Sequence, residues 1–477
     1  MNMSVTHARE TRGQILVASF ASALAIAPLL AVSMPVAPIA LAALPLAAIF
    51  AFSNPFILCL GFVIFSFFRI HEAFPALNPL RIPQLLAIPT LVVLGWHVGL
   101  QKTIKPYWRP ELTVFAIFFA IVTIGVPFAI NKPTAIAYWT ATYWKIAVMT
   151  VSIAWLTRSP REFALAARAF TLAGIAIASV TLYNKVNGIG LVEGTRVTIG
   201  RDIQSVLGDP NDLSLVLLFP LSFAVSLFVR RTGWLSALTG LAGSGMIVAA
   251  IIATQSRGGL LGLITVFAIF GSRLIKSKTV LAGIAVVGLM GLFAMAGISD
   301  RSSGGAAEEG IDESSMGRIY AWGAAWRMAL THPLNGVGLD NFVGNYYLYS
   351  EHWDGHNHAV HSTWFGVLGE TGFPGILVFF SVIVAIARSA YLASKKLDHP
   401  GAPMPARGMS LAILAGIGGF CVSGTFLTQG FTWPIYVLIS LSTAMSHFAS
   451  RYEENSRDAN LVAKKAISAS ESRSTPG

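Results

Sequence analysis

Long apolar runs separated by short polar breaks fill most of this chain. A membrane-spanning helix needs about 20 mostly apolar residues. Fourteen stretches approach that length: 14–33, 36–53, 55–70, 82–100, 111–130, 137–156, 162–183, 213–230, 234–253, 258–274, 279–297, 362–391, 408–428 and 433–450. Pro35 and the Asn54-Pro55 pair crowd the junctions of the first three, since proline cannot continue a helix and restricts the residue before it. The pattern predicts an all-α polytopic membrane protein with 12–14 transmembrane helices.

Two polar segments are long, 184–212 and 298–361. The second opens on SDRSSGGAAEEGIDESSMG and continues as GRIYAWGAAWRMALTHPLNGVG. There Ile319, Trp322, Ala325, Trp326, Ala329 and Leu330 recur at helical spacing. They predict an amphipathic helix that ends at His332-Pro333 and turns at Gly336 and Gly338. Such a helix lies along a membrane surface or caps a cavity. The chain therefore divides into N-terminal helices over 1–297, a large loop over 298–361, C-terminal helices over 362–450 and a tail over 451–477. The tail is polar and rich in Ser and Ala, a composition that predicts disorder.

Composition sharpens this picture. Of 477 residues 54% are hydrophobic and 12% charged, with mean hydropathy +0.66, whereas soluble domains carry about 25% charged residues. The apolar stretch after Arg12 runs through Phe52 with no clear small-residue cleavage site, unlike a secretory signal. Cys59 and Cys421 both sit in apolar runs and read as buried thiols. The net charge of +11 is spread between the apolar runs and not gathered on one module, so a nucleic-acid partner is not expected. With the N-terminus inside, the inner segments collect Lys and Arg in roughly two-to-one excess over the outer ones. That orientation places 184–212 and 298–361 outside.

Several ionisable groups then meet one face. Arg257 opens SRGGLLG at the end of an apolar run. An arginine there can snorkel to headgroups, or hold phosphate through the two parallel hydrogen bonds of its planar fork. Arg196 and Arg201 lie in TRVTIGRD, just before GDPNDLS, which reads as a helix start with Pro210 in the first turn and Asn211 or Asp212 as cap. A helix N-terminus favours anions, but Asp209 and Asp212 oppose a phosphate, which places an anion nearer the arginines. His352, His356, His358 and His361 cluster around Asp354. Histidines so close together can bind zinc, yet the segment has no cysteine and no zinc-protease spacing. His361 stands at the membrane boundary, where a neutral imidazole can act as general base and nearby arginines would keep it unprotonated. Glu370 lies nine residues on, about 13 Å along an ideal helix, and is expected to face an Arg or Lys of another helix. Lys145, among Tyr138, Trp139, Tyr143 and Trp144, sits in an apparent interface belt. Lys145 and Arg318 are candidate supporting charges.

The set GDPNDLS, SRGGLLG, GRIYAWGAAWRMALTHPLNGVGLDNF and HSTWFGVLGETGFPG resembles the O-antigen ligase and polymerase superfamily of bacterial envelope glycosyltransferases. The earlier FFRIHEAFPALNPLRIP is similar to branches linked to exopolysaccharide export. The likeness covers about residues 50–450. It implies a GT-C-like fold in the bacterial inner membrane and a glycan carried on undecaprenyl diphosphate. Transfer would be at the periplasmic face, inverting and without metal or other cofactor, to lipid A core (ligase) or to a lipid-linked or polysaccharide acceptor (polymerase). The family's functional histidine begins a His-Asn or His-Ser pair eleven residues before the glycine of Glu-Thr-Gly, here His361-Ser362 before Gly372. Its Ser-Arg-Gly-Gly arginine falls on Arg257. Its other arginine precedes an Asn-Pro-Asn-like segment, where Arg196 and Arg201 are both eligible and Asp209 replaces the first asparagine.

From these, Arg257 with Arg201 or Arg196 is expected to hold the diphosphate, and His361 to take the acceptor proton. Two rivals come from other classes. A solute transporter would place ionisable groups near mid-membrane and show duplicated halves; no internal repeat is visible, and Lys145 and Arg168 lie away from a midplane. A non-catalytic glycan-binding or scaffold protein would lose nothing on removal of His361.

Overall fold

The computed structural model describes residues 36–203, 205–230, 233–295 and 313–473. The architecture is all-α, with one two-residue hairpin. The chain forms two compact units, Met1–Phe62 with Ile82–Lys105 and Val63–Arg81 with Pro106–Gly477.

The first unit contains α1 (Val36–Ser53), the start of α2 (Pro55–Phe67) and α4 (Ile82–Gly95), the last continued by a π-helical turn to Leu100. Inside it His97 Nε2 donates to Phe52 O (2.8 Å), and its Nδ1 lies 2.7 Å from Thr103 Oγ1.

The second unit contains α3 (Ile70–Ala73), α5 (Pro110–Gly125), α6 (Lys132–Tyr138), α7 (Trp144–Leu156) and α8 (Pro160–Asn187). The hairpin β1 (Leu191–Val192) and β2 (Arg196–Val197) leads to α9 (Pro210–Val229), α10 (Trp234–Ala253), α11 (Arg257–Leu274) and α12 (Lys278–Met295). Then follow α13 (Glu313–Thr331), α14 (Phe342–Tyr349), α15 (Thr363–Lys396), α16 (Met404–Gly424) and α17 (Trp433–Arg473). At the centre are α9 and α16, buried over 78% and 72% of their apolar windows, against 28% for α10. They pack on each other and on α8 and α11. Small residues allow this: a Cβ on Gly262 of α11 would come within 3.3 Å of Gly419 O on α16.

Among the described residues eight helices are long and apolar enough to cross a membrane, or nine if one bent pair is a single span. The 14–33 stretch lies outside the described residues. The next two predicted stretches form that bent pair, Pro45–Ser53 and Pro55–Phe67, meeting at 100° where Asn54-Pro55 crowds the junction. The 137–156 stretch is interrupted by a π-helical turn, Trp139–Tyr143. The 279–297 stretch supplies only a shorter apolar helix, Lys278–Leu292. The 433–450 stretch opens α17, where Ser440, Ser442, Thr443, Ser446 and His447 dilute the apolar character.

Two local expectations change. Helix α17 continues to Arg473 where composition predicts a disordered tail; its Ala, Lys and Glu residues are strong helix formers, and Arg457 pairs with Glu453 one turn away. Helix α13 forms as predicted, but its buried stripe is Ala321, Ala324, Ala325, Met328 and Ala329, packed on α15. Ile319, Trp326 and Leu330 face outward. Small alanines permit close helix approach, which leaves the bulky apolar residues on the other side.

Candidate active site

Helices α9, α11 and α15 each begin, and α16 ends, at the same end of the second unit. The joint is polar. Asp209 caps α9, its Oδ1 accepting from the backbone N–H of Asn211 (2.7 Å) and Asp212 (3.2 Å). The expected caps, Asn211 and Asp212, are used elsewhere. Asn211 Oδ1 accepts from Arg196 Nη2 (2.9 Å) and from Ser256 Oγ (2.8 Å). Ser256 in turn caps α11 by accepting from Gly259 N (3.2 Å). One amide oxygen thus ties strand β2 to the starts of α9 and α11. Close packing enforces it: a Cβ on Gly259 would lie 1.7 Å from Ser214 Oγ.

Arg196 is buried. Its Nε donates to Thr254 O (3.3 Å), and Nη1 lies 3.7 Å from Glu193. Arg201 differs. Its backbone packs so closely on Gly208 that a Cβ there would lie 3.0 Å from Arg201 Cα. Its side chain is exposed and makes no hydrogen bond or ion pair among the described residues. The loop bearing it is closed by Ile199 N to Leu207 O (2.9 Å) and Ser205 N to Gly200 O (3.0 Å). Ser205 also donates to Glu72, which Arg69 holds at 2.9 Å. Glu72 thus supports the arginine loop from the RIHEA segment. Sequence reasoning gave this segment no role in the site; its Arg-Ile-His-Glu run of charge between apolar stretches was the available signal.

Arg257 occupies the first turn of α11 and is partly buried. Beside it, a Cβ on Gly258 would stand 3.1 Å from the Phe426 ring. The Arg318 guanidinium of α13 lies over that ring, 5.9 Å from its centroid. One residue further, Leu427 O accepts from Thr363 Oγ1 (2.7 Å), and Gln429 Nε2 donates to Asp212 Oδ1 (2.6 Å). Thr363 is two residues after His361. This chain of contacts links the segments that carry Arg196, Arg257, Arg318 and His361.

His361 has φ 45°, the left-handed region. For a non-glycine residue that conformation costs about 1–2 kcal/mol. It persists because Ser362 immediately adopts an extended conformation and caps α15 toward Phe365 N. Burial pushes the His361 imidazole below its usual pKa; Asp209 pulls it back up, while Arg318 and His358 push it down. The expected direction appears, but desolvation is the larger cause. The other histidines are engaged elsewhere. His358 Nε2 meets Asp354 at 3.0 Å, His356 Nδ1 approaches the same carboxylate at 4.0 Å, and His352 stacks on Tyr320.

Glu370 does not face an Arg or Lys. It is buried and accepts from the backbone N–H of Asp340 (3.0 Å) and Phe342 (3.2 Å). The reason lies in a break of α15 at Gly372 (φ 68°, ψ −168°). In a regular helix Phe373 N would donate to Gly369 O. Here it donates to Pro333 O (2.9 Å), and Pro374 has no N–H to offer Glu370 O. The freed carbonyls of Gly369 and Glu370 accept instead from Val337 N (2.8 Å) and Gly338 N (3.1 Å). Gly336 is required at this contact, since a Cβ would lie 2.3 Å from Gly369 O. Lys145 is exposed on α7, which packs on α17, and it makes no hydrogen bond or ion pair among the described residues. The structure does not bring it to the arginines.

Residues 242–380 match the family model described as O-antigen ligase. This match supports, over that segment, the resemblance to the O-antigen ligase and polymerase superfamily. The matched O-antigen ligase segment runs from within α10 into α15 and holds Arg257, Arg318 and His361; Arg196 and Arg201 precede it. The chain is thus a multi-pass membrane protein with a transferase domain of polysaccharide biosynthesis. A comparison with curated proteins gives no match.

Proposed function

We propose that the protein transfers a glycan from undecaprenyl diphosphate to an acceptor hydroxyl at the periplasmic face of a bacterial inner membrane, as a ligase does onto lipid A core. What supports this reading is that a chain of contacts links the segments bearing Arg257, Arg318 and His361 to the strand bearing Arg196, and that Arg318 acts on the His361 imidazole. Arg257 and the exposed Arg201 hold the diphosphate and stabilise the charge that builds on it. Arg196 positions that strand, because its donors serve Thr254 and Asn211. His361, kept neutral by burial, takes the proton of the acceptor O–H as that oxygen attacks the anomeric carbon. The bond from the anomeric carbon to phosphate oxygen breaks, the lipid diphosphate leaves, and the new glycosidic bond has inverted configuration. The arginines supply the positive charge, so the reaction runs without a metal ion.

The test is reconstitution with an undecaprenyl-diphosphate glycan, offering lipid A core and a second lipid-linked glycan as separate acceptors. The lipid A core product should form with wild-type protein. It should form about 10²–10⁴-fold more slowly with His361→Asn, which tolerates the left-handed backbone but cannot act as the base. Extension of the lipid-linked acceptor alone would reassign the reaction to a polymerase. Full activity in His361→Asn would sink the base assignment.

A further inference from the structure

A polar groove has a lining that the arginine site does not use. It is an open groove of about 510 Å³ between the start of α6 and the 340–347 segment. That volume falls within the range of small-molecule sites, about 300–1,000 Å³. Asn131, Lys132, Asp340, Asn345 and Tyr347 are among its lining residues.

The walls are rigid. Asn341 Oδ1 accepts from Asn131 N (2.7 Å) and its Nδ2 donates to Asn131 O (3.2 Å), which locks the two sides together. Glu370 holds the floor through Asp340 N and Phe342 N. Helix α14 buries Phe342 and Tyr346 in a cluster with Val360, the residue before His361. The groove and His361 therefore share one support.

The functional ends of the lining are uncommitted. Lys132 Nζ, the Asp340 carboxylate and the Tyr347 hydroxyl make no hydrogen bond or ion pair among the described residues. Asp340 is held at φ 57°, a strained conformation that aspartate tolerates better than most residues. Burial without a cation partner raises its pKa. Tyr347 is 49% exposed, and its ring lies 6.2 Å from that of Trp353.

We propose that this groove binds an uncharged, hydroxyl-rich saccharide segment of two or more sugar units. Sugar hydroxyls both donate and accept. They match a carboxylate that only accepts, an ammonium that only donates and amides that do both. The Tyr347 ring offers an amphipathic platform for the C–H face of a pyranose. An anionic headgroup or a second diphosphate would meet Asp340, and an apolar chain would leave Lys132 and Asp340 unpaired. The inference rests on the glycan-transfer reading only for its probe. It adds a holding site beyond the reacting sugar, distinct from the arginines that would bind diphosphate.

The experiment uses oligosaccharides released by mild acid from the host's own lipid-linked glycan, carrying a fluorescent label and no diphosphate. Binding to full-length protein in detergent is measured by thermophoresis. Wild type and His361→Asn should bind equally. Tyr347→Ala and Asp340→Gly should each bind at least tenfold more weakly; Asp340→Gly relaxes the strained backbone, and melting curves check that both fold. No binding to wild type, unchanged binding in both groove variants, or equal loss in His361→Asn would overturn the proposal. If instead His361→Asn still transfers glycan while the groove variants lose binding, the base assignment fails and the groove stands.

Discussion

The two ends of the central helices use their arginines in opposite ways. Where α9 ends and α16 begins, Arg230 and Arg407 each reach Asp398 at 3.2 Å, and Lys396 at the end of α15 meets Glu453 at 2.7 Å. Charges there are matched by carboxylates. At the opposite end, Arg196 is satisfied mainly by neutral oxygens, Arg318 lies over an aromatic ring, and Asp209 is occupied in capping α9. Neutral oxygens and a ring face help to hold these guanidiniums in place, with Glu193 3.7 Å from Arg196. On the proposed reading, the difference separates cations that hold a fold together from cations that meet an anionic substrate.

The largest test of this contrast removes the base. His361→Asn should reduce glycan transfer by about 10²–10⁴-fold, with unchanged protein level in the membrane, as read by product formation and immunoblot. Next, Arg257→Lys should lose on the order of 10-fold or more despite keeping its charge, because an ammonium cannot form the bidentate fork; Arg230→Lys at the other end should stay near wild type. Comparable losses in the two variants would erase the distinction between the ends. Arg196→Ala should lower thermal stability by about 1–3 kcal/mol, since it leaves the Thr254 carbonyl short of a partner and Asn211 with one donor fewer. A variant as stable as wild type would return Arg196 to the diphosphate.

A finer test uses pH. Neutral His361 is the active form, and its pKa is depressed, so activity should fall only on acidification below the ordinary histidine range. Arg318→Gln removes a charge that lowers this pKa and should move the acidic limb to higher pH; Asp209→Asn should move it lower. Opposite shifts would place the titrating group elsewhere. Asp398→Asn should have the smallest effect, at most about 1 kcal/mol in stability, because exposed ion pairs contribute little, and transfer should be unchanged.

Helix positions were largely legible because membrane spans announce themselves by length and composition. The residues of the polar joint were legible as charges between the apolar runs, although their partners were not. Glu370 looked like an ion-pair partner because helical spacing does not show the segment that docks at the Gly372 break, whose Asp340 and Phe342 N–H groups donate to its carboxylate. Asp209 looked like an opponent of phosphate, yet capping gives its carboxylate another task. Arg196 is buried and Arg201 exposed, a difference that the run TRVTIGRD does not encode. The large side chains of α13 misled for a related reason: apolar periodicity marks a face, but a face against lipid and a face against a neighbouring helix read alike.

The break at Gly372 also bears on how the protein meets bilayers of different thickness. Residues 373–396 span about 36 Å at 1.5 Å per residue, enough to cross a hydrocarbon core of about 30 Å with some tilt. Thicker or thinner lipid would be accommodated by changing that tilt. Residues 363–371 are stitched through Gly369 and Glu370 to the 333–338 turn, so they need not follow the swing of the rod below. The lower segment can lean as the lipid demands while His361 keeps its register with the arginines.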